Sequence, residues 1–131
     1  MGPESRKVIE KPYLVAIPVP SLEINGNPLD RGEIDKWVKK TLVELTECFG
    51  GAMPIAAPGT NILDGRILYE KDQVGILSAC NSREEFFRQR DRIEAFVEEM
   101  GRDLRQSAVF VRACPSDSFL VEIFSGPEGS P

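Results

Sequence analysis

The spacing of apolar residues predicts a β-strand and then a helix in the first half of the chain. Residues 13–19, YLVAIPV, are rich in β-forming side chains and predict a strand. Over residues 31–49 apolar side chains recur every three or four positions, which predicts an amphipathic helix. Asp30 precedes this helix as an N-cap, and Gly50 and Gly51 follow it. Glycine takes the left-handed conformation of a helix end without strain, so the helix is expected to end there.

The second half of the chain predicts four further strands and a second helix. Residues 64–70, DGRILYE, and 73–80, QVGILSAC, predict two strands. A buried stripe over residues 83–104 predicts the second helix. Two apolar runs, 107–114 and 118–124, flank the polar stretch PSDS and predict a strand pair joined by a turn.

The order of these elements predicts the fold class. Two β-α-β units joined in this way build an α+β, ferredoxin-like sandwich, with two helices on one face of an antiparallel sheet. The interpretation is β-α-β-β-α-β plus a C-terminal strand. We expect one domain over residues 1–131, with an ordered core of about residues 12–124 and frayed ends at MGPES and SGPEGSP.

Both faces of the predicted sheet are apolar. In the first strand Tyr13, Val15 and Ile17 form one side, and Leu14 and Ala16 form the other. A sheet with one wet face alternates between apolar and polar side chains. We therefore expect the second face to be covered, by another copy of the chain in a two-fold homodimer or by a partner protein.

The stretch FGGAMPIAAPGTNILDGR, residues 49–66, is rich in glycine and proline. A phosphate-binding loop leads into a helix, whereas this stretch follows one, and it matches neither GxxxxGK[ST] nor GxGxxG. Two interpretations stay open. The stretch is an irregular edge strand, or it lines a pocket with Thr60, Asn61 and Asp64.

A resemblance supports the fold. A helix ending in FGG, followed by LDGRILYE, QVGILSA and RQSAVFV, is similar to small uncharacterised bacterial domains with a ferredoxin-like fold. The likeness covers residues 13–112. This chain departs from the pattern at Leu63 and Asp64, where those domains carry an aromatic residue before the turn. The resemblance implies the fold and no particular activity.

Composition narrows the classes of function. The net charge is −5 and the sequence pI is about 4.8, whereas nucleic-acid-binding domains usually carry a basic surplus. The chain has no histidine, which removes the commonest general base and the commonest metal ligand. No apolar run is long enough for a membrane helix, and the first residues lack the apolar core of a secretory signal. We expect a cytoplasmic protein with no cofactor, no membrane contact and no nucleic-acid partner.

The chain has three cysteines and no CxxC motif, which indicates free thiols in a reducing compartment. In a ferredoxin-like sandwich Cys48, Cys80 and Cys114 end elements that run toward the same pole of the sheet. We therefore expect the three thiols to gather there, either as packed side chains or as a metal or redox site.

Charged residues supply the other candidates. Glu70 and Asp72 flank a turn after Tyr69, and with Asp64 they form a predicted carboxylate cluster that suits acid–base chemistry or ordinary turn formation. Arg112 interrupts an apolar strand, and Glu122 is its expected partner.

The second helix is rich in arginine, and Glu84 with Arg88 and Arg90 with Glu94 have the spacing of ion pairs. A solvated, salt-bridged face is one interpretation of this helix. The other is an anion-binding or partner-binding patch that contains Arg88 and Arg92.

These observations leave two hypotheses for function. The first is a dimeric, non-catalytic binding or accessory module for a partner protein or a small anionic ligand. Its candidate residues are Thr60, Asn61, Arg88, Arg92 and Arg112. The alternative is a small enzyme of the dimeric α+β barrel kind, with a pocket between the sheet and residues 50–66. Its candidate catalytic residues are Glu70, Asp64, Tyr69 and Arg112.

Overall fold

The computed structural model describes residues 6–123, apart from the side chains of Asn61 and Leu63. The predicted frayed ends lie outside these residues. In chain order the elements are β1 (Arg6–Val19), α1 (Arg31–Phe49), β2 (Met53–Ala56), β3 (Gly59–Leu63), β4 (Arg66–Glu70), β5 (Val74–Cys80), α2 (Arg83–Asp103) and β6 (Arg112–Ile123).

Local chemistry fixes both helices where the sequence predicts them. The Asp30 side chain accepts a hydrogen bond from the backbone N–H of Gly32, at 3.1 Å, and begins α1. Gly50 ends α1 in the left-handed region, with φ 95°. The Ser82 hydroxyl accepts from the backbone N–H of Glu85 at 3.0 Å and begins α2. The prediction of both helices is confirmed.

The main sheet has the strand order β2-β5-β1-β6, and every neighbouring pair is antiparallel. Alternate residues of β1 face the helices, and Tyr13, Val15, Ile17 and Val19 are all buried. They pack with buried residues of both helices, among them Trp37, Leu45, Ile93 and Met100. The architecture is the predicted ferredoxin-like α+β sandwich.

The prediction of a strand pair around PSDS is wrong. Residues 112–123 form a single strand, and residues 107–111 form no strand. Lys11 pairs with Ser118 and Tyr13 with Pro115, so two residues of β6 stand opposite one residue of β1. This is a β-bulge, which absorbs the extra residue. Pro115 is tolerated because β6 is an edge strand.

Strand β1 begins at Arg6, well before the predicted start at Tyr13. Its early part, residues 6–11, pairs with residues 118–123 of β6 beyond the end of β5. We call these two segments the ribbon. In the ribbon, β1 and β6 extend as a pair beyond the four-stranded part of the sheet.

A separate hairpin, which the sequence pattern does not predict, lies between β2 and β5. Strands β3 and β4 pair only with each other among the described strands, and we call residues 59–70 the arm. Asp64 and Gly65 connect them with φ values of 51° and 77°. Positive φ at both central residues is typical of a type I′ turn, which suits the twist of a two-stranded hairpin.

Residues 53–56 confirm the edge-strand interpretation for this part of the glycine-rich stretch. They form the edge strand β2, in register with residues 74–77 of β5. No helix among residues 6–123 is long and apolar enough to cross a membrane.

Candidate functional site

The face of the sheet that lies away from the helices is apolar, and we call it the open face. Leu14 and Ala16 of β1 pair with Ala79 and Leu77 of β5, and these side chains are half-buried. Next to them on β2, Met53 is 54% exposed. In an ordinary sandwich a solvated face carries polar side chains. Across β2, β5 and β1 the open face of this sheet carries apolar side chains instead.

A cavity of about 380 Å³ lies at the open face. Leu14, Leu77, Ala79 and Met53 line its sheet side. Residues 49–52, from the last residue of α1 to the start of β2, form one wall, and residues 118–120 of the ribbon form another. Ligand cavities in proteins have volumes of about 300–1,000 Å³, so this one suits a small molecule.

Few polar groups border this cavity. The Ser78 hydroxyl donates to the carbonyl of Gly51 at 2.5 Å and so holds the wall against β5. Lys11 lines the cavity, and its ammonium donates to the Asn81 side chain at 2.7 Å. The cavity therefore offers apolar contact together with one cation close to its border.

The ribbon is exposed on the same face. Cross-strand neighbours in the ribbon are Val8 with Val121, and Glu10 with Phe119. Phe119 is 61% exposed. A two-stranded ribbon is only marginally stable alone, so packing against its apolar side chains would stabilise it.

The candidate carboxylates do not form the predicted cluster. Asp64 lies at the tip of the arm and Glu70 at its base, five residues of extended strand away. At about 3.3 Å per residue this is a separation of about 17 Å. Tyr69 is exposed on the other side of the arm from Glu70, and Thr60 pairs with it.

Glu70 instead fastens the arm to the loop after β1. One carboxylate oxygen accepts hydrogen bonds from the backbone N–H of Ser21 at 2.5 Å, from the Ser21 hydroxyl at 3.1 Å, and from the backbone N–H of Leu22 at 3.0 Å. Gln106 holds the same loop, because its side chain donates to the carbonyl of Leu22 at 2.7 Å. The geometry of Glu70 is that of a structural acceptor.

The expected pair of Arg112 and Glu122 is not formed, because both residues lie on the single strand β6. Glu122 is 4.0 Å from the ammonium of Lys7, its neighbour on β1. Arg112 pairs in register with Ala16 and is exposed at the border of the open face. It makes no ion pair with any residue between 6 and 123.

The two arginine candidates of α2 have different surroundings. Arg92 bridges the helices, with its guanidinium 2.7 Å from Glu44 and 2.6 Å from Glu47 of α1. Hydrogen bonds to these carboxylates raise its pKa. Arg88 is exposed and has no ion-pair partner in the described part of the chain. That either residue binds an anion stays a prediction.

Two of the three thiols, Cys48 and Cys80, lie close enough to interact, but Cys114 does not join them. Cys80 pairs with Tyr13 and shares its helix-facing side, where Cys48 is also buried. Cys114 pairs with Leu14 and therefore lies on the open face, the opposite side of the sheet. Burial raises the pKa of Cys48, and it raises that of Cys80 to about 12. Among the described residues no three acidic or cysteine side chains are placed to hold a metal ion.

A second cavity, of about 520 Å³, lies beside α2. Phe86, Phe87 and Val97 line its helix side, and Val109, Val111 and Ala113 line the other. Among the described residues, none of the candidate catalytic, anion-binding or metal-ligating side chains predicted from the sequence lines either cavity. The sequence feature that indicated the cavity at the open face was the apolar second side of β1, since Leu14 lies on that side and lines that cavity.

Comparisons with known proteins agree with this fold. No family model and no curated protein matches the chain. The chain is similar to a phage SAM lyase in complex with S-methyl-5'-thioadenosine, at 16% identity and a TM-score of 0.56, over 90% of this chain and 94% of that chain. It is also similar to a phage SAM lyase in the apo state, at 18% identity and a TM-score of 0.57, over 89% of this chain and 93% of that chain. CutA1 from Pyrococcus horikoshii OT3 is similar at 16% identity and a TM-score of 0.46, over 81% of this chain and 84% of that chain. At such identities the likeness to the phage enzymes shows a shared fold.

Proposed function

We propose that the protein is a homodimeric binding module whose two copies meet through the open face and the ribbon. The exposed apolar surface carries this proposal. Its large side chains are between 41% and 75% exposed. They are Val8, Met53, Ile55, Phe119, Val121 and Ile123.

The energy of covering these side chains is sufficient for association. Burying a whole side chain of this size gains about 1.5–3 kcal/mol, so each half-exposed one contributes roughly 1 kcal/mol. The six then contribute roughly 6 kcal/mol per copy and 12 kcal/mol per pair. Association costs about 4–15 kcal/mol in lost freedom, which is of the same size. A dimer that dissociates on dilution is expected.

The module binds its ligand in the cavity at the open face. Its lining is apolar, and Lys11 is the cation at its border. We propose a small molecule with an apolar or aromatic body and an anionic group. The dimer partner covers this face, so ligand binding and dimerisation strengthen each other.

Light scattering on the purified protein across a range of concentrations tests the dimer. We expect the mass of two copies at high concentration. Val121→Glu on the ribbon should give a monomer, whereas Val43→Glu should leave the dimer intact, because Val43 is exposed on α1, away from the sheet. A wild-type protein that is monomeric throughout would overturn the proposal.

Binding of 1-anilinonaphthalene-8-sulfonate, an aromatic body with an anionic group, tests the cavity. Ala79→Leu fills the space between the sheet and the ribbon, so we expect about tenfold weaker binding, which corresponds to about 1.4 kcal/mol. Ala108→Leu adds the same side chain at an exposed position outside that cavity and should leave binding unchanged. Equal affinities of the two variants would contradict the proposed site.

A second candidate function is enzymatic. The observation that favours it is the fold shared with phage SAM lyase over most of both chains. Glu70 and Arg112, of the set proposed from the sequence, lie toward the same end of the sheet, since Glu70 contacts the loop after β1 and Arg112 begins β6. Incubation with S-adenosylmethionine, with S-methyl-5'-thioadenosine measured by chromatography, decides this. Product that disappears in Glu70→Gln would favour the enzyme, and no product would favour the binding module.

The cellular setting belongs to the same proposal. Buried, protonated thiols at Cys48 and Cys80 suit a reducing compartment, and we place the protein in the cytoplasm on that ground. Kinship with the bacterial domains that it resembles in sequence stays a prediction.

A further inference from the structure

One side of the arm is apolar and faces solvent. In an antiparallel hairpin, paired residues share a side, so Thr60 with Tyr69 and Ile62 with Ile67 form one surface. Ile67 is 74% exposed and Tyr69 is 63% exposed. We call this surface the outward side of the arm. On the other side Leu68 and Glu70 are half-buried toward the domain.

The arm is fastened at its base. Glu70 accepts from Ser21 and Leu22, and the Gln73 side chain donates to the carbonyl of Ala57 at 2.9 Å. These bonds orient the arm, but they leave its outward side exposed. A charged or polar surface would be expected on a hairpin that stays in water, and large exposed apolar patches mark interaction sites.

The arm and the ribbon lie at opposite ends of β1. The base of the arm contacts Ser21 and Leu22, directly after the C-terminal end of that strand. The ribbon is formed by the N-terminal part of the same strand. Two sheets that pack face to face across a two-fold axis with antiparallel β1 strands therefore place each arm near the ribbon of the other copy.

We infer that the outward side of each arm packs on the ribbon of the partner copy, so that each copy completes the open face of its neighbour. This inference rests on the proposed dimer and specifies how its two copies meet. The contact occurs twice in the pair, because the two-fold axis relates the arm and ribbon of one copy to those of the other.

Charge and area support a second copy as the occupant. On the open-face side the ribbon has four apolar residues, Val8, Phe119, Val121 and Ile123, and one charge of each sign, Arg6 and Glu10. The outward side of the arm carries no charge. A standard interface buries about 800 Å² per partner, and monomers rarely expose an apolar patch of more than about 600 Å². The arm adds three large apolar side chains to the six of the open face and ribbon, so an interface that includes the arm covers more apolar surface than one without it.

Cross-linking between two different variants, each with one accessible cysteine, tests this contact. Both chains carry Cys114→Ser, because Cys114 lies on the open face, whereas Cys48 and Cys80 are buried and are retained. One chain carries Ile67→Cys on the arm and the other carries Val121→Cys on the ribbon. The two are mixed, dimerisation of each is verified by light scattering, and a short bifunctional maleimide is added.

We expect rapid linkage of an Ile67→Cys chain to a Val121→Cys chain and little linkage in the Ile67→Cys variant alone, because the two arms lie at opposite ends of the pair. Val43→Cys, on the outer surface of α1, replaces Val121→Cys as the control and should give no linkage. Linkage between two arms, or no linkage of arm to ribbon in a verified dimer, would overturn the inference and leave the proposed dimer standing. A monomeric wild-type protein would overturn the proposed function itself.

Discussion

Replacement of Glu70 by alanine removes the acceptor that holds the arm to the loop after β1. In the wild-type protein the carboxylate receives the backbone N–H groups of Ser21 and Leu22 and the Ser21 hydroxyl. Ser21 is 6% exposed, so water cannot easily take the place of the carboxylate there. A buried donor left without an acceptor costs about 1–3 kcal/mol.

Two backbone donors lose their acceptor in Glu70→Ala, and the half-buried position of Glu70 admits some water. We therefore take the lower part of the range and expect a loss of about 2–4 kcal/mol in the free energy of unfolding. For a domain of this size 1 kcal/mol corresponds to about 4 °C in Tm, so the Tm should fall by about 8–16 °C. Glu70→Gln keeps one oxygen acceptor without the charge, and it should lose about 1 kcal/mol.

Thermal and urea unfolding at one fixed protein concentration measure these changes, since a dimer is more stable at higher concentration. Glu94→Ala is the matched control. Its carboxylate pairs with Arg90 on the exposed surface of α2, at 2.8 Å, and such pairs contribute about 0.3–0.5 kcal/mol. If Glu70→Ala unfolds within 0.5 kcal/mol of the control, the three hydrogen bonds do not carry the stability assigned to them.

Two other predictions concern titratable groups. The indole N–H of Trp37 donates to Asp103 at 2.6 Å and lowers the pKa of that carboxyl. The ionised carboxylate of Asp103 therefore stabilises the fold fully above the unfolded-state pKa, and this stabilisation is lost as the pH falls through the folded-state pKa. Urea unfolding followed by the fluorescence of Trp37, the single tryptophan, should show lower stability at pH 3 than at pH 7, and Asp103→Asn should reduce this difference. Maleimide at pH 8 should modify Cys114 first, and the reaction should become faster when the dimer is diluted. Burial and the raised pKa of Cys80 should protect that thiol until the protein unfolds. Rapid modification of two thiols in the folded protein would contradict this prediction.

Local signals explain why the helices and the central strands could be predicted. Asp30, Ser82 and Gly50 act within a few residues of their own position, and each does in the structure what its chemistry predicts. The apolar stripes of α1 and α2 and the β-forming run of β1 report burial directly. These features are sufficient for the ferredoxin-like sandwich, and they also showed that both sides of the sheet are apolar.

The chemistry at Pro115 shows where local signals fail. Pro-Ser-Asp-Ser has turn residues, but β6 passes through it because the strand lies at an edge, where proline breaks no ladder, and because a bulge opposite Pro12 accommodates the extra residue. The side of the sheet that Cys114 occupies follows from its pairing with Leu14. Neither fact can be obtained without the register.

The sequence by itself determined the helices, the strands of the core, the absence of histidine chemistry and the two apolar sides of the sheet, because composition and periodicity are local properties. Only the tertiary structure decided which candidates meet. It separated Asp64 from Glu70 by the length of an extended hairpin and assigned Glu70 to the loop after β1. It also placed the arm and the ribbon at opposite ends of one strand. Pairing partners distant in sequence set these positions, and the free energy that selects them belongs to the folded chain as a whole.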